Sequence, residues 1–367
     1  MQAEFIKPNC ERWNKCLAQM PHDCYHLPKY VQICADNDGG EAVAFVAEEG
    51  DFRLFVPLLV RPIGLGKEES AEQYDAVSPY GYPSPLLKSP ENGQRETQFL
   101  DDALELLMAG LREREAVSAF VRFHPLLPLP FEPFRRSGAV VCHGETVYLD
   151  LTQSEEELWH QTRPRCRSKI NRAKRIGYTA VIDDRWDYLD EFIEIYNATM
   201  LRVHAQDFYF FSRQYFQDLK EALQGVLHLC LVRFNGTIVT AGLFSEVCGI
   251  VQYHLSGMRA EFGHDQPTAF MMDYVRNWAR QRGNRQLHLG GGLGAERDSL
   301  FQFKSGLSKC RSQYFTWRTV IDPRAYQELV SERASQVVAD DSEDKGFFPK
   351  YRAPLQCRAE SGPGVSS

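Results

Sequence analysis

The chain has 367 residues, 43% of them hydrophobic and 25% charged, with a formal net charge of −7. That is enough sequence for two domains with their own cores, and the composition is ordinary for a soluble globular protein. The acidic balance excludes a general affinity for nucleic acid or an anionic membrane, so any polyanion has to be met by a local patch.

The opening residues, MQAEFIKPNCERWNK, hold no signal-peptide core, and no apolar run approaches the length of a membrane span. The ten cysteines are scattered singly with no C-x-x-C pair, which argues against zinc ribbons and thioredoxin-like chemistry and for reduced thiols in a cytoplasm. A short helix is expected around Glu11 to Met20. From residue 41, EAVAFVAEEGDFRLFVPLLVRP alternates apolar positions at Val43, Phe45, Phe52, Leu54 and Val56 around a Glu49-Gly50-Asp51 turn. An extended stretch, YDAVSPYGYPSPLL, follows. A helix with Phe99, Ala103, Leu106, Leu107 and Leu111 at helical spacing then leads to the strand VSAFVRFHPL.

VYLDLTQSEEELW reads as a strand running into a helix capped by Thr152 or Ser154. A basic helix over Arg163 to Gly177 and two amphipathic helices come next. From residue 226 the first pattern returns. VLHLCLVRFNGTIVTAGLFSEV is a hairpin turning on Asn235-Gly236, and GIVQYHLSG is a third strand. PTAFMMDYVRNWARQRG is a helix with Pro267 at its start, Gly283 past its end, and an apolar stripe of Phe270, Met271, Tyr274, Val275 and Trp278. RQLHLGGG closes the unit, and CRSQYFTWRTVID is a last strand. Beyond Ala339 the chain is polar and rich in Gly, Ser and Pro, which predicts a flexible tail. The aromatic island Phe347-Phe348-Pro349-Lys350-Tyr351 either docks on the body or stays loose.

Residues 41–125 and 226–292 therefore share a β-β-β-α-β order, and a cleft between two such units is a natural substrate channel. The expected architecture is α/β (α+β), with two similar units that each have a mixed sheet flanked by helices. Residues 1–150 form the first, 151–325 the second, and 326–367 a largely flexible tail.

Several constellations are suited to chemistry. SPYGYPSP, Ser78 to Pro85, is stiffened by three prolines and presents the hydroxyls of Tyr80 and Tyr82; it is either a substrate wall or a rigid connection. On the basic helix, Arg165, Lys169 and Arg172 share one stripe while Arg163, Arg167 and Lys174 share another. Such a patch in an acidic chain suits phosphate, or is a solvated helix face. The loop before the second long helix, ending at Gln266 and Thr268, leads to a helix start whose free N–H groups suit a phosphate or a carbonyl oxygen. Gly290, Gly291 and Gly292 lack the G-x-G-x-x-G spacing of a dinucleotide site and instead let backbone approach backbone or ligand. Lys304, just past them in SLFQFKSGLS, is placed to stabilise an oxyanion or meet a phosphate, or is a surface lysine. His124, His204, His254 and His288 show no metal spacing, and no metal site is expected.

The run YHLSG, helix, LHLGGG and LFQFKSG resembles the C-terminal half of FemAB-type transferases, and SPYGY, AFVRFHPL and TVYLDLTQSEEELW with RSKINRAKRIG resemble the N-terminal half. The resemblance covers about residues 20 to 325 and implies tandem GNAT folds. It implies amide-bond formation by attack of an amine on an activated acyl group, carried by aminoacyl-tRNA or by acyl-CoA as co-substrate, with no tightly bound cofactor. By the same resemblance Lys304 is the catalytic lysine, and Tyr253 and His254 are the nearest candidates for a base. Ser78, Tyr80, Tyr82, Arg122 and His124 would line the acceptor cleft. Arg165, Arg167, Lys169 and Arg172 would contact phosphates. The implied partners are an amine-bearing small molecule or cell-envelope precursor, and charged tRNA. One departure stands out: where coenzyme A users of the GNAT fold carry a Q/R-x-x-G-x-G/A loop, this chain reads GHDQPTA. The alternatives are an acyl-CoA-dependent N-acetyltransferase with an atypical pyrophosphate site, or a non-catalytic binding member of the fold.

Overall fold

The structure, a computed structural model, describes residues 1–64, 73–90, 93–336 and 346–353. In chain order the first half contains β1 (Gln2–Ile6), α1 (Glu11–Leu17), α2 (Pro28–Asp38), β2 (Glu41–Glu49), β3 (Phe52–Pro62), β4 (Tyr74–Val77), β5 (Leu86–Lys88), α3 (Gln94–Arg112), β6 (Ala116–Arg122), α4 (Glu132–Ser137) and β7 (Ala139–Asp150). The second half contains α5 (Glu155–Gln161), α6 (Pro164–Ile176), β8 (Thr179–Ile182), α7 (Leu189–Arg202), α8 (Arg213–Ala222), β9 (Leu227–Phe234), β10 (Thr237–Val247), β11 (Ile250–Met258), α9 (Pro267–Gln281), β12 (Gln286–Gly290), α10 (Ser299–Ser305), β13 (Arg311–Val320) and α11 (Pro323–Gln336).

The duplicated order expected from sequence is present. β2, β3, β4, α3 and β6 repeat as β9, β10, β11, α9 and β12, and in each copy the strand after the helix runs parallel to the strand before it. The β9–β10 hairpin turns on Asn235 and Gly236 at φ of 48° and 81°, the left-handed pair its two-residue turn requires. Ser154 rather than Thr152 caps α5, in a reciprocal box with Glu157.

The two copies are not separate sheets. The strands form one sheet in the order β1-β2-β3-β4-β6-β13-β7-β12-β11-β10-β9-β8, with β5 added beside β3. β13 comes from the later half of the chain, yet it pairs with β6 (Trp317 opposite Val121). β7 lies before residue 150, yet it pairs with β12 (Leu149 opposite Leu287). β13 and β7 also pair with each other along most of their length. The division at residue 150 thus separates the chain but not the sheet, because each half lends a strand to the other.

Alternation along the strands splits the core by face. Ala42, Ala44 and Val46 of β2 point into a core shared by both halves, where Trp13 and Tyr30 from the first half meet Phe192, Phe216 and Leu243 from the second. Val43, Phe45 and Ala47 point the other way, onto Phe99, Ala103 and Leu107 of α3. Leu106, expected on that apolar stripe, lies on the outer side of α3 at 39% exposure, and Leu104 and Leu100 take the inner positions. Phe270, Met271 and Val275 of α9 cover Val147, Leu149 and Leu287 in the matching position of the second half.

The expected tail begins too early at residue 326. Asp322 accepts the N–H groups of Arg324 and Ala325, α11 forms, and Ala325 and Leu329, one turn apart, close over Val117. The aromatic island docks on that helix. Tyr351 is 1% exposed with its hydroxyl 2.7 Å from Ser118 Oγ, and Phe348 stacks on Tyr326 at 5.9 Å. Residues 337–345 and 354–367 lie outside the described residues.

The exchanged strands make a single cooperative unit of both halves. Urea unfolding followed by tryptophan fluorescence and by far-ultraviolet circular dichroism is expected to give coincident single transitions. Trp317→Ala, which empties a fully buried site on β13, is expected to lower stability by about 3–5 kcal/mol in that one transition. Two resolved steps would show independent halves.

Candidate functional site

The site begins where two parallel strands part. β11 and β12 pair only over Ile250–Gln252 and Gln286–His288. Beyond that β11 continues beside β10 to Met258, while β12 ends at Gly290. Gly290 has φ of +75°, and a Cβ there would lie 3.2 Å from the Tyr82 hydroxyl and 3.4 Å from Lys304 Nζ. Glycine is needed both for the backbone angle and for the close meeting of those two groups.

Lys304 sits in the last turn of α10, whose first turn is capped by Asp298 accepting the Phe301 N–H at 2.8 Å. Its Nζ donates to the Gly291 carbonyl oxygen at 2.6 Å, while the Gly291 N–H donates to the Tyr82 hydroxyl. Both polar groups of one glycine are therefore held, one by each half of the chain. Lys304 is only 7% exposed, and that burial pulls its pKa from 10.5 down to about 8, against the opposing pull of Asp298. The Tyr253 ring lies 5.9 Å from Nζ. Its hydroxyl is bonded to Ser256, and burial pushes it up to about 12, so Tyr253 contributes a neutral aromatic surface.

Aromatic rings from both halves of the chain pack around Tyr82 and His254. Tyr82 meets the rings of His288 at 5.0 Å and Tyr314 at 5.4 Å. Tyr80 and Tyr25 each meet His254 at 6.2 Å. Gly81 holds the loop at φ of +95°, where a Cβ would overlap the Tyr25 ring at 2.2 Å, so Tyr25 sets how deep residues 80–82 sink. His288 donates from Nδ1 to Gln252 Oε1 at 2.9 Å, which leaves Nε2 unprotonated, buried and without a hydrogen-bond partner. The Nε2 of His254 is also buried and without one. Burial holds both rings neutral, His254 at about 4 and His288 well below its ordinary value. A buried imidazole nitrogen with no partner is costly in a packed core and is available to a ligand.

Of the other residues singled out from sequence, His124 adjoins this group, 6.2 Å from the Tyr82 ring and 6.0 Å from that of His288, and Arg122 reaches Tyr314. Ser78 Oγ accepts the Arg122 N–H at 3.0 Å, and Arg122 Nη1 donates to the Ser78 carbonyl at 2.9 Å. Those two knit β4 to β6 at the place in the first copy that corresponds to the open splay in the second. His124 donates from Nε2 to Asp23 at 3.0 Å and accepts the Leu126 N–H on Nδ1, so both nitrogens are occupied. At the start of α9 Gln266 is left-handed, and the Thr268 hydroxyl lies 3.4 Å from that of Thr240. The half-buried Asp265 next to them takes Arg172 at 3.1 Å and the Tyr178 hydroxyl at 3.1 Å. On α6, Arg167 Nη1 caps the end of α5 on the Thr162 carbonyl at 2.9 Å. Arg165 is exposed, and burial, with Arg165 nearby, lowers Lys169.

Tyr25, Tyr314, Gln252 and His288 were not singled out for a role from sequence. A signal existed for His288: it alternates with Leu287 and Leu289, which face α9, so its ring has to face the other side of the sheet. Among the described residues no group of three or more His, Cys, Asp or Glu is placed to hold a metal ion, and no helix is long and apolar enough to cross a membrane.

Residues 160–305 match the family described as the acetyltransferase (GNAT) domain. Among solved structures, the chain is similar to the crystal structure of FemX, at 15% identity over 89% of this chain and 99% of that one, with a TM-score of 0.69. It is similar to the C-terminal domain of a putative lysylphosphatidylglycerol synthetase from Agrobacterium fabrum, at 14% identity over 89% of this chain and 95% of that one, with a TM-score of 0.54. It is also similar to L-PGS from Bacillus licheniformis, at 13% identity over 85% of this chain and 92% of that one, with a TM-score of 0.53. No curated protein matches the sequence. The chain has the FemAB-type GNAT fold.

The buried lysine makes stability depend on pH. Its folded pKa of about 8 lies below the ordinary 10.5, so between those values the unfolded chain binds more protons and stability rises with pH. Relative to Lys304→Met, the native chain is expected to gain on the order of 2 kcal/mol between about pH 8 and about pH 9.5. Denaturant midpoints across that range measure it, and parallel curves for the two chains would contradict it.

Proposed function

We propose that the chain is an acyltransferase that joins an activated acyl or aminoacyl group to an amine as an amide, at the splay between β11 and β12. The observation that carries this reading is Lys304: a buried cation fixed on Gly291 where the two strands separate, inside a matched GNAT domain.

The chemistry follows from the groups present. The amine nitrogen attacks the carbonyl carbon of an ester or thioester, the carbonyl oxygen takes the negative charge of the tetrahedral intermediate, and the alcohol or thiol leaves as that charge returns. An ammonium has three donors, and one of those of Lys304 is used on Gly291. The other two are available to the oxyanion, in a site where burial makes the interaction stronger than in water. A pKa of about 8 leaves the lysine mostly charged at neutral pH yet able to hand a proton to the leaving group. The attacking amine loses its proton, and the Nε2 of His288, unprotonated and without a partner, is a candidate acceptor for it, with His254 as a second. Tyr80 and Tyr82 present one wall to the acceptor, from the first half of the chain.

The donor is aminoacyl-tRNA or acyl-CoA. The Asp265 carboxylate at the start of α9 disfavours a pyrophosphate where coenzyme A users of the fold place it. The FemAB-type fold supports an amine on a cell-envelope precursor as acceptor, and the name of lysylphosphatidylglycerol synthetase supports aminoacyl transfer. The described cysteines are all free, which fits a reducing cytoplasm.

Lys304→Ala is expected to fold as the native chain does and to lose about 10²–10³ in the rate of label transfer to amine. Transfer from labelled aminoacyl-tRNA, measured beside transfer from labelled acyl-CoA with and without ribonuclease, identifies the donor. Full activity in the variant removes Lys304 from the mechanism. No transfer from either donor, with no thermal stabilisation by donor or amine, favours a binding member of the fold.

A further inference from the structure

A second concave site is lined by Ser305, the residue that follows Lys304 in the chain. The connection between α5 and α6 faces the connection between α10 and β13 across a cleft of about 570 Å³. The Arg163 N–H donates to the Gly306 carbonyl at 2.8 Å and the Thr162 hydroxyl to the Leu307 carbonyl at 3.2 Å, so the two walls are tied together at their base. Arg163, Arg167, Lys309 and Arg311 line it, and no lining residue is acidic.

Three arginines and a lysine around one cleft repel one another. Arg311 shows the strain: burial lowers its pKa, and the charge of Arg163 adds to that, against the pull of Glu145. Glu145 is itself paired with Arg297 at 2.7 Å. Two of the guanidinium groups are held in fixed orientations. Arg311 Nη1 donates to the Ser308 and Cys310 carbonyls at 2.9 Å and 2.8 Å, and Arg167 Nη1 donates to Thr162. Ser305 lines the same cleft at 3% exposure, and its hydroxyl is buried with no hydrogen-bond partner. The start of α6 contributes Arg163 and Pro164 to the wall of the cleft. Held guanidinium forks and a spare hydroxyl are the donors that closely spaced phosphate oxygens require. A cleft of this size is in the range that holds a nucleotide-sized group.

We propose that this cleft binds the diphosphate of a nucleotide-bearing ligand. It lies apart from the start of α9, where the neighbouring Asp265 carboxylate is paired with Arg172. Binding there stands whether or not Lys304 is catalytic; only its use as an anchor for donor or acceptor rests on the transferase reading.

Isothermal titration calorimetry on the full chain tests the site, with ADP as the probe and adenosine as the control. ADP is expected to bind and adenosine to bind at least 10-fold more weakly, with the ADP affinity falling as salt is raised. Arg163→Glu and Arg311→Glu are each expected to weaken ADP at least 10-fold, and Ser305→Ala by 3-fold or more. Lys304→Ala is expected to bind ADP as the native chain does, so loss of transfer and loss of phosphate binding are read separately. Unfolding temperatures check that each variant is folded, and Arg163→Gln, a milder change at an exposed position, repeats the measurement. Competition by coenzyme A places the diphosphate on the donor, and competition by a uridine diphosphate sugar places it on the acceptor. Absence of ADP binding, or equal affinity in the folded charge-reversal variants, overturns the proposal. Binding of tRNA that depends on Arg163 and Arg311 while ADP fails to bind also overturns it, in favour of a nucleic-acid backbone.

Discussion

The central ladder β6–β13–β7–β12 is the constraint on which the rest of this molecule depends. A strand from the later half of the chain and a strand from the earlier half lie side by side in the middle of the sheet, each hydrogen-bonded to the opposite copy. The two copies of the β-β-β-α-β unit are thereby fixed in one relative position, and the space between them becomes a site of defined shape. A flexible linker would leave Tyr82 free to drift from Gly291. With the ladder in place, the loop carrying Tyr80, Gly81 and Tyr82 is pressed onto the ends of β11 and β12 and held there by Tyr25 and Tyr30 from below. Catalysis by positioning needs this rigidity, since the reacting groups have to be held within a fraction of an ångström.

The two copies differ where it matters. In the first, the gap between the parallel strands β4 and β6 is closed by Arg122 reaching back to Ser78. In the second, the pairing of β11 with β12 stops at Gln252 and His288, and Lys304 lies beyond it on the Gly291 carbonyl and beside the Tyr253 ring. A buried lysine and two partnerless imidazole nitrogens are unfavourable for folding and are tolerated because the surrounding apolar cores are large. The shared core on one face and the α3 and α9 cores on the other supply that excess.

The positive charge of the second half is also distributed unevenly. Acids of α9 and the loop before it answer part of the basic helix: Arg172 pairs with Asp265, and Lys174 pairs with Asp273. The beginning of α6 is left without such partners and meets Lys309 and Arg311 from a distant part of the chain. One helix thus carries paired cations at its far end and cleft-lining cations at its start.

The sequence by itself determined the repeated units, because local rules act within each one. Asn235-Gly236 demands its hairpin, and Pro267 and Gly283 bracket a helix. It could not determine which copy each of β7 and β13 would join, since their alternating patterns fit the edge of either copy equally well. It also left α11 in the expected tail, because the apolar contacts of Ala325 and Leu329 are with Val117, more than two hundred residues away in the chain. For the same reason His124 read as a ligand-facing histidine until the structure put Asp23 on one nitrogen and the Leu126 N–H on the other. Residue type and spacing set what each side chain can do. Only the exchange of strands across the sheet decided which of them meet, because the partners that occupy a hydrogen bond or leave it vacant come from distant parts of the chain.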